Sequence, residues 1–283
     1  MPIATLLSLP PEVLYDIHLL SASEHLPLVC KTLFSIYTHG TTTRYRALFL
    51  WRKYFEKEIE KPKNRPQWDL VVCNRCCSME ALKILREFYL AESTSQEKQL
   101  RISQIPTRLF KALSNVASVR PSSPVERVDE LQRSYQYIKL LLSDFHASPD
   151  KLGGYPLARS VLSGNIQFIR LLLDYGARPS YKNNLVMMVA IGTGDLKIIR
   201  LLVEPNYRHP QELEHDEVAC DSCAQAKAPP LICSKKSKLE DRLRITDEML
   251  EKAVKRKDSL MAQYFMERGA RPTLDTIRFM ENL

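Results

Sequence analysis

Glycine is scarce in this chain, with eight among 283 residues. A phosphate-cradling loop needs glycines in close order so that backbone N–H groups can reach the phosphate oxygens, and no such cluster occurs. No Gly-x-Ser-x-Gly elbow occurs either, which removes the nucleophile turn of many hydrolases. Long apolar runs are missing. None approaches the roughly 20 residues needed to cross a bilayer, so no membrane partner is expected. The opening residues carry no basic region, and Pro10, Pro11 and Glu12 interrupt their apolar run, so no secretory leader is expected. Helix-turn-helix signatures, paired zinc-finger ligands and aromatic-rich strand motifs are also lacking. The net charge of +8 therefore favours acidic partners without implying nucleic acid.

The seven cysteines are an odd number in a long chain, which fits reduced thiols in a cytoplasmic or nuclear protein better than a disulfide framework. The six histidines (His18, His25, His39, His146, His209 and His215) are scattered, and none pairs evidently with a carboxylate and a nucleophile. No catalytic residue is assigned, and the chain is expected not to be an enzyme.

What is present is a repeat. Residues 155–176 read Tyr-Pro-Leu-Ala-Arg-Ser-Val-Leu-Ser-Gly-Asn, then Ile-Gln-Phe-Ile-Arg-Leu-Leu-Leu-Asp-Tyr-Gly. Gly164-Asn165 returns as Gly194-Asp195, followed by Leu196 to Val203, a period near 30. Leu157 and Val161 share one face of a short first helix. Gly164 ends it where the chain must turn. Phe168, Ile169, Leu171, Leu172 and Leu173 make the apolar side of a second helix. Gly176 suits a left-handed cap before Ala177 and Pro179. One such copy cannot bury its own apolar face, so neighbouring copies are expected.

On these residues the chain resembles the ankyrin repeat. Tyr155-Pro156-Leu157-Ala158 stands where that family has Thr-Pro-Leu-His, and Asp174-Tyr175-Gly176-Ala177 matches its end. Ala158 lacks the family's histidine, and Leu185-Val186-Met187-Met188 keeps only the apolar spacing. Divergent copies are read at 70–90 (Leu70, Cys73 and Cys77, then Leu82, Ile84 and Leu85) and at 105–147 (Leu109, Ala112 and Leu113, then a loop at Arg120–Pro124, then Tyr137 to Leu142). In the first, Cys73, Cys76 and Cys77 are read as core residues of one helix face rather than metal ligands. A further copy spans 246–270, where Lys257-Asp258 replaces Gly-Asn, and a last helix begins at Leu274. About five or six units are expected in all. The resemblance implies a partner-binding concave face, with Lys151, Tyr155, Arg159, Tyr181, Lys182 and Met188 as candidate contacts to a substrate protein.

Residues 6–39 form a different unit. Pro10 and Pro11 open a helix at positions where a missing N–H costs nothing. Val13, Leu14 and Ile17 recur at helical spacing, and Leu26, Leu28, Val29 and Leu33 make a second apolar set. So short a segment must pack on something else. Leu9-Pro10-Pro11-Glu12-Val13-Leu14, Ile17 and Leu28-Val29-Cys30-Lys31-Thr32-Leu33-Phe34 resemble an F-box, with fewer residues between Ile17 and Val29 than that family has. The resemblance implies that Leu9, Pro10, Val13, Leu14, Ile17, Leu28, Val29 and Leu33 dock the Skp adaptor, and through it the cullin, of a ubiquitin ligase. The alternative is a helix pair that only caps an ankyrin scaffold.

Residues 41–69 read as a basic connecting helix with Leu48, Trp51 and Phe55 at helical spacing. Residues 205–242 are polar, rich in proline and charge, and read as an inserted loop. Cys220, Cys223 and Cys233 with His215, and His209 nearby, make an incomplete zinc pattern, so no cofactor is assigned. The expected fold is all-α. It comprises an F-box-like segment (1–40), the connecting helix (41–69), ankyrin-like repeats (70–204), the insert (205–242) and a final repeat with its cap (243–283).

Overall fold

The computed structural model describes residues 6–56, 67–92, 101–113, 124–205, 207 and 242–280. Every regular element among them is helical, as expected. By internal contact the chain falls into two units, Met1–Pro106 with Gln136–Ser148, and Thr107–Tyr135 with Pro149–Leu283.

The first unit begins with α1 (Pro11–Ser21) and α2 (Lys31–His39). Pro11 sits in the first turn of α1, and left-handed Ala22 ends the helix by donating its N–H to the His18 carbonyl. The Cys30 sulfur accepts the Leu33 N–H at 3.5 Å and caps α2. Leu14, Leu33 and Tyr37 form the core of this pair, and the Tyr37 hydroxyl donates to the Leu14 carbonyl at 2.8 Å.

α3 (Thr43–Trp51) runs into a π-helical turn, Arg52–Glu56. Its interior face differs from the expected one. Ala47, Phe49, Leu50 and Trp51 are buried, while Leu48 is exposed. The cause is packing on more than one side. Phe49 stacks on the His18 ring at 4.3 Å, and Trp51 stacks on Phe55 at 4.7 Å. Trp68 and Tyr89 extend the aromatic cluster around Phe55.

α4 (Gln67–Cys73) and α5 (Met79–Glu92) follow. The reading of three cysteines on one buried helix face is corrected here. α4 ends at Cys73, the Asn74 side-chain oxygen accepts the Cys76 N–H at 2.9 Å in a local turn, and only Cys77 is buried. The C-terminal part of α6 (Pro124–Ser143) completes the unit. Tyr137 donates to the Cys77 carbonyl at 3.2 Å, and Arg86 pairs with Asp144 at 2.7 Å. α6 begins at Pro124, the last residue of the expected loop, and runs through the apolar pattern read from Tyr137 to Leu142; proline suits the first helical position.

The second unit is a series of helix pairs: α7 (Lys151–Leu162) with α8 (Ile166–Asp174), α9 (Tyr181–Thr193) with α10 (Leu196–Val203), and α11 (Asp247–Lys255) with α12 (Ser259–Glu267), closed by α13 (Leu274–Met280). The first helices α7, α9 and α11 pack in sequence order. Phe168, Ile169, Leu171, Leu172 and Leu173 are all buried on α8, each worth roughly 1.5–3 kcal/mol relative to exposure.

The turn inside each pair is built the same way. Gly164, Gly194 and Lys257 are left-handed (φ 69, 81 and 63). Asn165, Asp195 and Asp258 then cap the second helix by accepting the N–H of Phe168, Lys197 and Met261. At Arg242 the backbone N–H donates to the Val203 carbonyl at 2.7 Å, beside the end of α10. Its guanidinium also reaches the Pro205 carbonyl at 3.2 Å.

Candidate interaction surfaces

Two exposed faces stand out, one in each unit. In the first unit, the core of α1 and α2 consumes part of the candidate set. Leu14 and Leu33 are each only 1% exposed. They hold the two helices together and cannot touch a partner, which corrects their assignment as docking residues. Ile17 is half-buried. The rest of the set faces outward: Leu9, Pro10 and Val13 are exposed, and Leu28 and Val29 are 67% and 70% exposed. Leu6, Leu7, Leu20 and Phe34 add exposed apolar groups that sequence reasoning left out. Exposed leucine is ordinary when single, but this short segment exposes many large apolar side chains.

The same unit carries a polar anchor at Glu24. The Glu24 carboxylate accepts from Tyr54 at 3.0 Å and Asn74 at 2.6 Å, and pairs with Lys53 at 2.6 Å. Burial opposes its charge, but Lys53 and the Tyr54 hydroxyl outweigh burial and hold the carboxyl below its usual range. His18 lies inside the unit, 4.4 Å from the Tyr37 ring and with Nδ1 2.8 Å from the Tyr45 hydroxyl. The Tyr45 hydroxyl also donates to the Tyr15 carbonyl at 3.1 Å. Burial pushes the imidazole down to about 4, and Lys53 nearby adds to the fall against an opposing bond to the Ser23 backbone.

In the second unit the candidate contacts lie on α7 and α9. Lys151, Tyr155, Tyr181 and Lys182 are exposed, and Arg159 and Met188 are half-buried. Two tips present them. Leu152, Gly153 and Gly154 are all left-handed, and so are Lys182, Asn183 and Asn184. Three successive left-handed residues reverse the chain tightly, so that the right-handed turns begin only at Tyr155 and Leu185. The tips adjoin: a Cβ at Gly153 would lie 3.4 Å from Lys182 Cδ, and one at Gly154 would lie 3.7 Å from Tyr181 Cδ1. Asp150 fixes the geometry by accepting the Arg178 N–H at 2.9 Å and its Nε–H at 2.8 Å. The sequence signal for this clasp was an Ala-Arg-Pro that recurs at Ala270-Arg271-Pro272, where Asp247 accepts the Arg271 N–H at 2.8 Å.

Among the described residues no three His, Cys, Asp or Glu side chains are placed to hold a metal ion, and no helix is long and apolar enough to cross a membrane. Cys30, Cys73, Cys76 and Cys77 form no disulfide among the described residues. Cys220, Cys223, Cys233, His209 and His215 lie outside the described residues.

Residues 131–212 match the family model of ankyrin repeats, in three copies. No F-box model matches the chain. No curated protein and no solved structure matches it. The chain carries ankyrin repeats, two-helix units that serve as protein-interaction scaffolds and are typically non-catalytic.

Proposed function

We propose that this chain is a substrate adaptor of a cullin–RING ubiquitin ligase. Its N-terminal helices dock a Skp-type adaptor, and its ankyrin repeats hold the protein to be ubiquitinated. The observation that carries this reading is the split within residues 9–33. Leu14, Leu33 and Tyr37 form the core between α1 and α2, while Leu9, Val13, Leu28 and Val29 stay on the outside. A helix pair that merely capped a repeat stack would spend those side chains on the stack. Docking through them would bury apolar area against the adaptor. The work of the chain would then be proximity, bringing a bound target to a ubiquitin-carrying partner with no bond chemistry of its own. It needs no metal or cofactor, and it places the protein in the cytoplasm or nucleus, where the ligase machinery operates.

The test is co-purification of the full chain with a Skp-type adaptor, comparing the native chain with Val13→Glu/Val29→Glu. Both positions are exposed, so the double variant keeps its helical content. Binding by the native chain and its loss in the variant supports the reading. A native chain that captures no adaptor sinks it. One observation favours the rival, a plain scaffold: Glu24 ties the turn between α1 and α2 to Lys53, Tyr54 and Asn74, as an integral part of the unit would be tied. In that case the native chain binds no adaptor, and the V13E/V29E exchange changes no measured interaction.

A further inference from the structure

We infer that the exposed face of α7 and α9 receives an acidic segment of a partner protein, one that carries a large apolar side chain among its carboxylates. This deepens the target-holding half of the function proposed above and rests on it.

The charge argument is local. From Lys151 to Gly194 the only acidic residue is Asp174, which belongs to α8 and not to the first helices. α7 and α9 therefore carry Lys151, Arg159 and Lys182 with no carboxylate of their own. Among the described residues none of these three cations forms an ion pair or a side-chain hydrogen bond. The one acid at the tips, Asp150, is already committed to Arg178. At the matching positions of the next first helix the pattern changes. α11 carries Glu248, Glu251, Lys252 and Lys255, with Lys255 and Glu251 paired at 2.6 Å. Cations without any carboxylate on the same helix are thus a feature of α7 and α9, where the adjoining tips bring the Lys182 ammonium against Gly153.

The same face is apolar between its charges. Leu152, Tyr155, Leu162, Tyr181 and Leu185 are exposed, and a Cβ at Gly192 would meet nothing within 4 Å, so the surface is open there. Carboxylates on the partner would find the three cations, and the side chain between them would find this apolar floor. Charge of this kind steers encounter and fixes register, and burial supplies the affinity. A phosphate backbone would satisfy the cations and leave Leu152, Leu162 and Leu185 in water, so a protein segment fits better than a nucleic acid.

The experiment is selection of a random peptide library displayed on phage against the full chain, followed by fluorescence anisotropy with the best peptide. The variants are Lys151→Glu/Lys182→Glu and the milder Lys151→Gln/Lys182→Gln, each checked for unchanged thermal unfolding. The expected peptides are enriched in Asp and Glu flanking Leu, Phe or Tyr. Their affinity should fall about tenfold or more on charge reversal, less on neutralisation, and steeply with salt. Neutral or basic peptides, no selected peptides, or affinity indifferent to both variants would overturn the inference. So would single-stranded DNA or phosphatidylserine vesicles binding where no acidic peptide does. Adaptor capture is scored separately. If peptides behave as expected and the Skp-type adaptor is not captured, the ligase reading falls and this face stands. If the adaptor is captured and the peptides carry no acidic excess, this inference falls alone.

Discussion

Asp150 grips Arg178 twice, accepting the backbone N–H at 2.9 Å through one carboxylate oxygen and the Nε–H at 2.8 Å through the other. The two bonds differ in what they hold. The bond to the backbone fixes where the chain turns from one repeat into the next, and the bond to the side chain lies in solvent, with Arg178 largely exposed. Asp150→Ala should therefore lower stability by about 1–2 kcal/mol, the scale of a lost bond to a charged acceptor. Asp150→Asn should recover part of it through the retained acceptor, and Arg178→Ala should cost clearly less than either. Urea unfolding of the three variants checks the order.

The eight N-terminal candidates should separate into two classes. Leu14→Ala and Leu33→Ala open cavities in a small core and should each cost about 2–5 kcal/mol. Val29→Glu, at a largely exposed site, should leave unfolding within about 0.5 kcal/mol of the native chain. Thermal denaturation followed by circular dichroism distinguishes them. Equal losses would mean that the outer face is packed after all.

His18 gives the first unit a pH dependence of definite sign. Its folded value near 4 lies below its ordinary 6.5, so the unfolded chain takes up a proton that the folded chain refuses. At pH 7 the ring is neutral in the folded chain and mostly neutral in the unfolded one, so it contributes little. As pH falls below 6.5 stability declines, reaching a loss of about 2 kcal/mol at pH 5 and about 3 near pH 4 from this group alone. His18→Phe should flatten that part of the profile, because it keeps the stack on Phe49 and removes the titration. Unfolding midpoints at pH 7, 6 and 5 decide the matter.

Leu152 is a leucine in left-handed backbone (φ 57), at an exposed tip. Such a conformation costs an L-residue roughly 1–2 kcal/mol, of which glycine would give back part through its greater freedom when unfolded. Leu152→Gly should raise stability by up to about 1 kcal/mol. If Leu152 also belongs to the peptide floor on α7 and α9, the same change should weaken peptide binding, so the two readouts move in opposite directions.

What was legible in the sequence was the part governed by one periodicity. The five buried residues of α8 and the left-handed Gly164, Gly176 and Gly194 follow from an amphipathic helix with fixed ends. α3 was misread because it is packed on more than one side. Ala47, Phe49, Leu50 and Trp51 are all inside, and no single stripe can mark such a helix. The cysteine cluster was misread because Asn74 breaks the helix through its own side chain, a local turn that spacing alone does not reveal. The tip at Lys182-Asn183-Asn184 had asparagines as a faint sign of left-handed backbone, whereas Leu152 had none. The division of residues 9–33 into core and face turned on the contacts of Tyr37, a residue outside the docking pattern.

The bond from Arg242 to Val203 gives the repeat series a property that outlasts its covalent chain. The Arg242 N–H on the Val203 carbonyl, reinforced by the guanidinium on the Pro205 carbonyl, ties the chain before α11 to the end of α10 by direct contact. A polypeptide cut once between Arg208 and Asp241 should remain a single particle. The two pieces, made separately, should find each other and restore the native fold.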